Sequence, residues 1–407
     1  MVHIKKRIVI ITEAYPYTGG EQFLYNEFIE LSKRYEEVVF FPLNKRDTKV
    51  ENLPENYVIN DTLSNFKVAP SNMLLLKNSL FVCLTIFMEV FKNKNGGYFL
   101  KKFSQHLAGI KQGLQLQKQF NAELVSLQYG PNDTYLSTWM NVGSMVLAIS
   151  KFKNQIKTFS FRVNGFDIFD ERRDGNYMPY QAINFKLASN VVVLSKAGFK
   201  HIKAKNIYPH KLSVNYSGLY DRGVNLFDAS KDFTLVSCSN VIPLKRVHLL
   251  AEALLEIDFK LNWIHFGDGV EMSKIKTIAQ SLPENITAQI KGSVSNAEVI
   301  DFYLNNSVNL FVHPSETEGL GMAIIEAQSF GIPAIGCDTG GVPEIINDTT
   351  GKLVSIDVNP EQLAKEITTF KNSDKNSQEY RKKTKQHFLD NFYIVANNKK
   401  LVDTLND

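Results

Sequence analysis

Two carboxylates, Glu318 and Glu326, stand with seven residues between them in the run HPSETEGLGMAIIEAQSFGIPAIGCDTGGVPE, residues 313–344. Carboxylates accept hydrogen bonds from sugar or ribose hydroxyls, and free backbone N–H groups at a helix start suit a diphosphate. The elements that must position them follow from the pattern. The apolar run 308–312 predicts a buried parallel strand, ended by Pro314-Ser315. Gly319 and Gly321, on either side of Leu320, allow a tight turn, after which 322–330 predicts a short helix closed by Gly331 with Pro333 just beyond. Residues 334–337 read as the next strand, and Thr339-Gly340-Gly341 as a second small-residue loop before another helix. Both loops then lie at the carboxyl ends of parallel strands, where open α/β sheets take ligands. The combination suits a sugar nucleotide.

Strand-like and helical patterns alternate along most of the chain. Strands are expected at 8–11, 38–41, 124–127, 158–163 and 191–194, with helices around 22–33 and 135–150. A second alternation starts at 233, with strands at 234–237, 261–266, 287–291, 308–312 and 334–337 and helices at 246–255, 271–280 and 296–304. This predicts α/β architecture with doubly wound parallel sheets. At 407 residues two domains are expected: 1–214, a linker at 215–231, and 232–377, with a final helical stretch, about 378–407, that either packs back on the first domain or stays solvated. A hydrophobic content of 44% and a charged content of 22% are those of a globular chain with a sizeable core. A net charge of +4 is too small to imply nucleic acid, and suits small anions or an anionic membrane surface. Cys83, Cys238 and Cys337 are widely spaced, the last two in apolar strand contexts, so buried free thiols of a reducing compartment are expected. No signal peptide or long apolar span is visible, which predicts a cytoplasmic protein, peripheral to the inner membrane face at most.

The residues around Glu318 and Glu326 resemble the E-x7-E signature of retaining family-4 glycosyltransferases, which have the GT-B fold. The likeness continues into their G-x-P…D-x-GG-x-x-E run, here Gly331, Pro333, Asp338, Gly340, Gly341 and Glu344. It implies two Rossmann-like domains facing a cleft, and a sugar moved with retention from a nucleoside diphosphate sugar to an acceptor hydroxyl. By the same resemblance the acceptor is a lipid-linked or other saccharide, in surface polysaccharide assembly such as capsule, O-antigen or exopolysaccharide. Glu318 would then contact the transferred sugar and Glu326 the ribose, while Gly319, Leu320, Gly321, Thr339, Gly340 and Gly341 line the donor pocket. In SCSNVIPLKR, residues 237–246, Asn240 stands where relatives carry arginine, and Lys245 keeps the matching lysine. A departing diphosphate needs fixed positive charge, so Lys245 is the expected catalytic cation. Arg246 either replaces the missing guanidinium or faces solvent. In FRVNGFD, residues 161–167, Asn164 replaces the family's histidine: it can hydrogen-bond a sugar but cannot shuttle protons. The Gly19-Gly20 loop after the first strand matches the loop that lies against donor phosphates, though a plain turn explains it too. His313 reads as a buried strand-end histidine satisfied by backbone. No metal-ligand spacing stands out, so neither cofactor nor metal is expected, the nucleotide sugar being the co-substrate. A sugar-nucleotide epimerase or hydrolase of the same fold, and a non-catalytic nucleotide-sugar binding module, are the alternatives.

The stretch 73–103 is set apart by composition. MLLLKNSLFVCLTIFMEVF is followed by Lys92, Lys94, Lys101 and Lys102. It reads either as helices buried in the first domain or as a surface that inserts into a membrane from one side.

Overall fold

The structure, a computed structural model, describes residues 6–19, 21–65, 72–93 and 95–406. Two compact units result, one made from Met1–Ser217 with Val395–Asp407, the other from Gly218–Ile394. The first carries the strands β1 (Arg7–Thr12), β2 (Glu37–Pro42), β3 (Tyr57–Ile59), β4 (Thr134–Ser137), β5 (Ser160–Val163), β6 (Asn190–Val193) and β7 (Leu212–Val214). They form one parallel sheet in the order β3-β2-β1-β4-β5-β6-β7, with Ile8 beside both Val38 and Thr134. Alternate residues of β1 and β2 face opposite ways. Val9, Ile11, Val39 and Phe41 pack on Leu116, Phe120 and Val146, while Ile8, Ile10, Val38 and Phe40 pack on Phe28, Leu31, Leu401 and Val402. Both faces are covered, which is why these strands read as unbroken apolar runs.

The second unit holds β8 (Phe233–Cys238), β9 (Leu261–Phe266), β10 (Ile286–Ile290), β11 (Leu310–His313), β12 (Ala334–Cys337) and β13 (Gly351–Val354), parallel throughout and in the order β10-β9-β8-β11-β12-β13. The helices Val247–Ala253, Met272–Gln280, Asn296–Asn305 and Met322–Ser329 fall where the pattern put them, within two residues at either end. The two doubly wound parallel sheets expected of the GT-B fold are thus both present.

Three expectations need correction. Residues 124–127 are not a strand: 124–126 form the last turn of the helix Phe103–Ser126, and the strand is β4, which overlaps the start of the stretch expected as helix. Four apolar-rich residues at a helix end cannot be told from a short strand by periodicity. The following helix begins only at Val142, where Asn141 caps it by accepting from the Gly143 N–H. The stretch 378–407 is two helices, not one. Gln378–Phe392 belongs to the second unit, and the helix Ile394–Asn406 belongs to the first from Val395 onward, with Tyr393 extended between the two helices. The expected linker is divided too, 215–217 going with the first unit and 218–231 with the second.

Candidate functional site

In the second unit the strand order reverses between β8 and β11, and the loops leaving their carboxyl ends converge. Glu316 N–H donates to the Leu244 carbonyl at 2.9 Å and joins the two loops. Lys245 ends a short turn, Pro243–Lys245, and its ammonium pairs with Glu318. His313, the last residue of β11, meets the same oxygen, Nε2 to Oε1 at 2.6 Å. A carboxylate only accepts, so His313 carries a proton on Nε2 and donates it. Burial alone would push the Glu318 carboxyl up, but His313 and then Lys245 outweigh it and hold it at about 2. Glu318 is therefore an anion at any physiological pH. Its exposure is 9%, and that of the Lys245 side chain is 21%, so the pair is sheltered yet reachable by a ligand. The expectation for His313 is overturned: its side chain is satisfied by Glu318, not by backbone.

The loop after β12 presses against this cluster. A Cβ on Gly340 would lie 1.8 Å from the Glu318 carbonyl oxygen, and one on Gly341 would lie 2.6 Å from that of Gly319. Gly340 also has φ +52°, so two constraints reserve the position for glycine. Thr339 precedes it, and Leu320 is buried beneath the turn. Gly321, at φ +109°, starts the helix Met322–Ser329 and brings no side chain to cap its first N–H groups. Glu326 lies one turn into that helix and accepts from Asn296 Nδ2 at 2.6 Å. Burial raises its carboxyl pKa, with Asn296 and Arg222 working the other way. The two carboxylates of the motif thus have different partners and opposite shifts.

Arg246 does not simply face solvent. Its backbone is left-handed, and the guanidinium donates to the Pro314 carbonyl at 2.7 Å, the Ile356 carbonyl at 2.7 Å and the Cys337 sulfur at 3.0 Å. It ties the loops after β8, β11 and β13 together. Of the thiols, Cys337 is buried, whereas Cys238 is partly accessible and Cys83 exposed. A hollow of about 750 Å³ in this unit, beside Thr234, Asn262, Gln289 and Asn305, includes none of the residues above. Among the described residues, no three His, Cys, Asp or Glu side chains gather as metal ligands would.

The first unit has its own polar centre at the carboxyl ends of β1, β4 and β5. The fully buried Glu21 carboxylate accepts from the Glu13, Ala14 and Tyr15 N–H groups at 2.5, 3.0 and 2.9 Å. It also accepts from Thr138 Oγ1 at 2.9 Å and Trp139 Nε1 at 3.2 Å, which fixes the loops after β1 and β4 together. Asn164, just after β5, is buried and donates from Nδ2 to the Thr138 carbonyl at 3.0 Å. Asp167 accepts from the Asn164 N–H at 3.3 Å and orients this loop, its carboxyl pushed up to about 6 by burial. Arg162, from the same motif, forms a buried ion pair with Glu27 at 2.6 Å. Gly19 is exposed beside the Arg46 guanidinium, which donates to the Thr18 carbonyl at 3.1 Å. Gly20 lies outside the described residues.

Sequence reasoning passed over Glu13. It directly follows β1, and each carboxylate oxygen accepts from an amide, Oε1 from Asn44 and Oε2 from Asn141, both at 2.7 Å. Burial and the nearby Glu21 charge raise its pKa. These three residues, with Asn65 and Gln112, border a hollow of about 320 Å³. The signal available was position: Glu13 sits at the carboxyl end of a central parallel strand.

With the geometry set out, three comparisons bear on it. No curated protein matches the chain. Among solved structures, it is similar to that of Anabaena Alr3699/HepE in complex with UDP, at 18% identity over 98% of this chain and 99% of that one, with a TM-score of 0.70. The lipopolysaccharide outer core galactosyltransferase WaaB, in its apo form, matches at 16% identity over 98% and 99%, with a TM-score of 0.68. Sucrose-phosphate synthase (tll1590) from Thermosynechococcus elongatus matches at 14% identity over 98% of each chain, with a TM-score of 0.71. At these identities the likeness is one of fold. The sequence match is to a family, and it covers the segment that carries the Lys245–Glu318–His313 cluster, Glu326 and the Thr339–Gly341 loop: residues 225–387 match glycosyl transferases group 1.

Proposed function

We propose that the chain is a retaining glycosyltransferase that moves a sugar from a nucleoside diphosphate sugar to a saccharide acceptor. The observation that carries this reading is the Lys245–Glu318–His313 cluster at the ends of adjacent strands, inside the family-matched segment. Breaking the bond from the anomeric carbon to phosphate builds negative charge on the departing oxygen, and Lys245 is the cation set to meet it. When the ammonium turns to the diphosphate, His313 still holds Glu318 in place as an anion. Glu318 accepts from hydroxyls of the transferred sugar, and Glu326 from those of the ribose. Backbone of Gly319, Leu320, Gly321, Thr339, Gly340 and Gly341 lines the donor. The acceptor oxygen bonds to the anomeric carbon on the face the phosphate leaves, and the acceptor proton passes to the departing phosphate oxygen. Configuration is retained, and no protein base is required.

On the first unit, Glu13 with its two asparagine partners suits the hydroxyls of the acceptor, and Asn164 steadies the neighbouring loop. Gly19 keeps its place as a candidate for the donor phosphates, with the Arg46 guanidinium beside it. A uridine nucleotide is the first donor to test, because similar structures hold UDP and UDP-glucose. The acceptor class of this reading is a lipid-linked saccharide of surface polysaccharide assembly.

The test is incubation of the purified chain with a panel of nucleotide sugars, with and without a membrane lipid extract, in the presence of a chelator. Nucleoside diphosphate release that depends on the extract is expected, with proton NMR showing the donor's anomeric configuration in the product. Release without acceptor points to a hydrolase, and an inverted linkage removes the retaining mechanism.

A further inference from the structure

Residues 73–103 of the first unit include three helices, Met73–Lys77, Ser79–Phe91 and Gly96–Lys101, that the reading above does not use. The middle one is apolar nearly all round, which helices facing water are not. Its inner face packs Phe81, Val82 and Met88 into a cluster with Ile110, Leu114, Met145 and Ile149. Its outer face is just as apolar and lies open: Leu80 is 74% exposed, Phe87 52% and Phe91 69%. Seven and four residues separate them, so they share one stripe of the helix, and the Phe87 and Phe91 rings are 5.0 Å apart. Met73, Leu76, Leu100 and Phe103 are large exposed apolar side chains of the same segment.

Charge decides what this surface is for. Between residues 62 and 122 the sequence holds eight lysines, no arginine and one acid, Glu89. Glu89 is fully buried and turned inward, accepting from Tyr177 Oη at 2.5 Å, the Tyr180 N–H at 3.0 Å and Asn93 Nδ2 at 3.1 Å. The outward surface is therefore apolar and cationic, with Lys77, Lys92, Lys101 and Lys102 exposed at the helix ends. Lys94 lies outside the described residues. Asp170 and Glu171, on another element, share a hollow with Asn95, and Asp170 is paired with Lys205. An apolar protein groove would take the phenylalanines and leave the lysines unmatched; an anionic bilayer takes both.

We propose that the 73–103 face is a one-sided docking surface for an anionic phospholipid bilayer, with Leu80, Phe87 and Phe91 at the acyl boundary and the lysines on headgroup phosphates. As a binding surface it stands on these observations alone; as the route to a lipid-linked acceptor it rests on the function proposed above.

The experiment is cosedimentation of the full chain with phosphatidylcholine vesicles, with and without phosphatidylglycerol. Binding is expected to the anionic vesicles and to weaken as salt rises. Replacing Lys77, Lys92, Lys101 and Lys102 together by glutamine should lower partitioning at low salt on the order of a thousandfold. Leu80→Ser with Phe87→Ser should abolish the binding that persists at high salt. Circular dichroism checks the fold of both variants, and if the serine pair does not fold the lysine variant decides alone. Equal binding to neutral and anionic vesicles, binding to neither, or binding untouched by the variants overturns the proposal. So does a wild-type dimer that the serine pair splits without vesicle binding, which would assign the face to a second copy. Calorimetry with nucleotide sugars on the same samples keeps the two proposals apart, since donor binding fails or survives independently of vesicles.

Discussion

Glu318 is held by two cationic or donor partners at once, and that sets what its mutants should do. Glu318→Gln keeps the shape but loses the charge that meets Lys245 and the sugar. Loss of one well-placed electrostatic partner at a transition state is worth about 3 kcal/mol, on the order of a hundredfold in rate. Initial-rate kinetics should show kcat falling by that order with donor affinity close to unchanged; near-normal turnover at saturating donor would remove the assigned role. Lys245→Ala and Arg246→Ala should separate cleanly. Lys245 faces the Glu318 carboxylate and, in the proposed reading, the diphosphate, so its loss should weaken diphosphate binding and slow transfer. Arg246 bonds two carbonyls and a sulfur, so its loss should lower the melting temperature of the second unit with a smaller effect on donor titrations. Equal, mild effects of both on donor binding would place the diphosphate elsewhere. The roles of Glu318, Glu326 and Lys245 belong to the proposed function. The strand-end placement of Glu318 and of Lys245 was legible in the sequence, the first from the apolar run and glycines around it and the second from the family resemblance. His313 was not, because a histidine ending a buried strand looks the same whether it meets backbone or a carboxylate five residues on. Glu13 was hidden by a motif-first reading, since nothing in its neighbours' types marks it.

The helix Ser79–Phe91 carries a second consequence through Glu89. Burial pushes this carboxyl up to about 7 from its ordinary 4.5, against the donors that face it. The folded state then binds the proton more tightly than the unfolded one between those values. Its contribution to stability is full below about pH 4.5, falls as pH rises toward 7 and stays at the lower level above it, a change of up to about 3 kcal/mol. Buried His106, whose pKa burial lowers, works in the opposite sense, so the measurement must be a comparison. Melting temperatures from pH 5 to 8 should fall for the wild type relative to Glu89→Gln, which lacks the titration. Parallel curves would show that Glu89 does not titrate in this range. At this scale the sequence was readable wherever burial on both faces made an apolar run, as in β1, β8 and β11. It was unreadable at three of the four sheet edges, where half-buried β3, β7 and β13 show no such run, and at 124–127, where a helix end imitated a strand. Arg162 shows the same limit in reverse: it lies in a motif, yet its work is the buried pair with Glu27.

Across the whole molecule, the two-unit division was visible as two alternations with a pattern break near 215–231, but the crossing of the tail was not resolved. The break falls at Tyr393, which no Gly or Pro marks. The helix Ile394–Asn406 puts Leu401, Val402 and Leu405 against Ile8, Ile10 and Phe28 of the first unit, and Asn215 Nδ2 donates to the Asn397 carbonyl at 2.8 Å. Burying three such side chains is worth on the order of 5 kcal/mol. Deleting 395–407 should therefore lower the melting transition of the first unit by several degrees and leave that of the second in place, as scanning calorimetry can resolve. A loss shared equally by both transitions would mean that the helix supports more than the first unit.

That returning helix also sets an order of events during synthesis. All seven strands of the first unit leave the ribosome before the second unit begins, yet the side chains that finish covering β1 and β2 are encoded after it ends. At about 5–20 residues per second, the nascent first unit waits on the order of ten seconds or more with part of an apolar face uncovered. The second unit, by contrast, is one unbroken segment and can close as soon as residue 394 emerges. The late partner of an early sheet is thus the step at which a nascent-chain chaperone has something to hold.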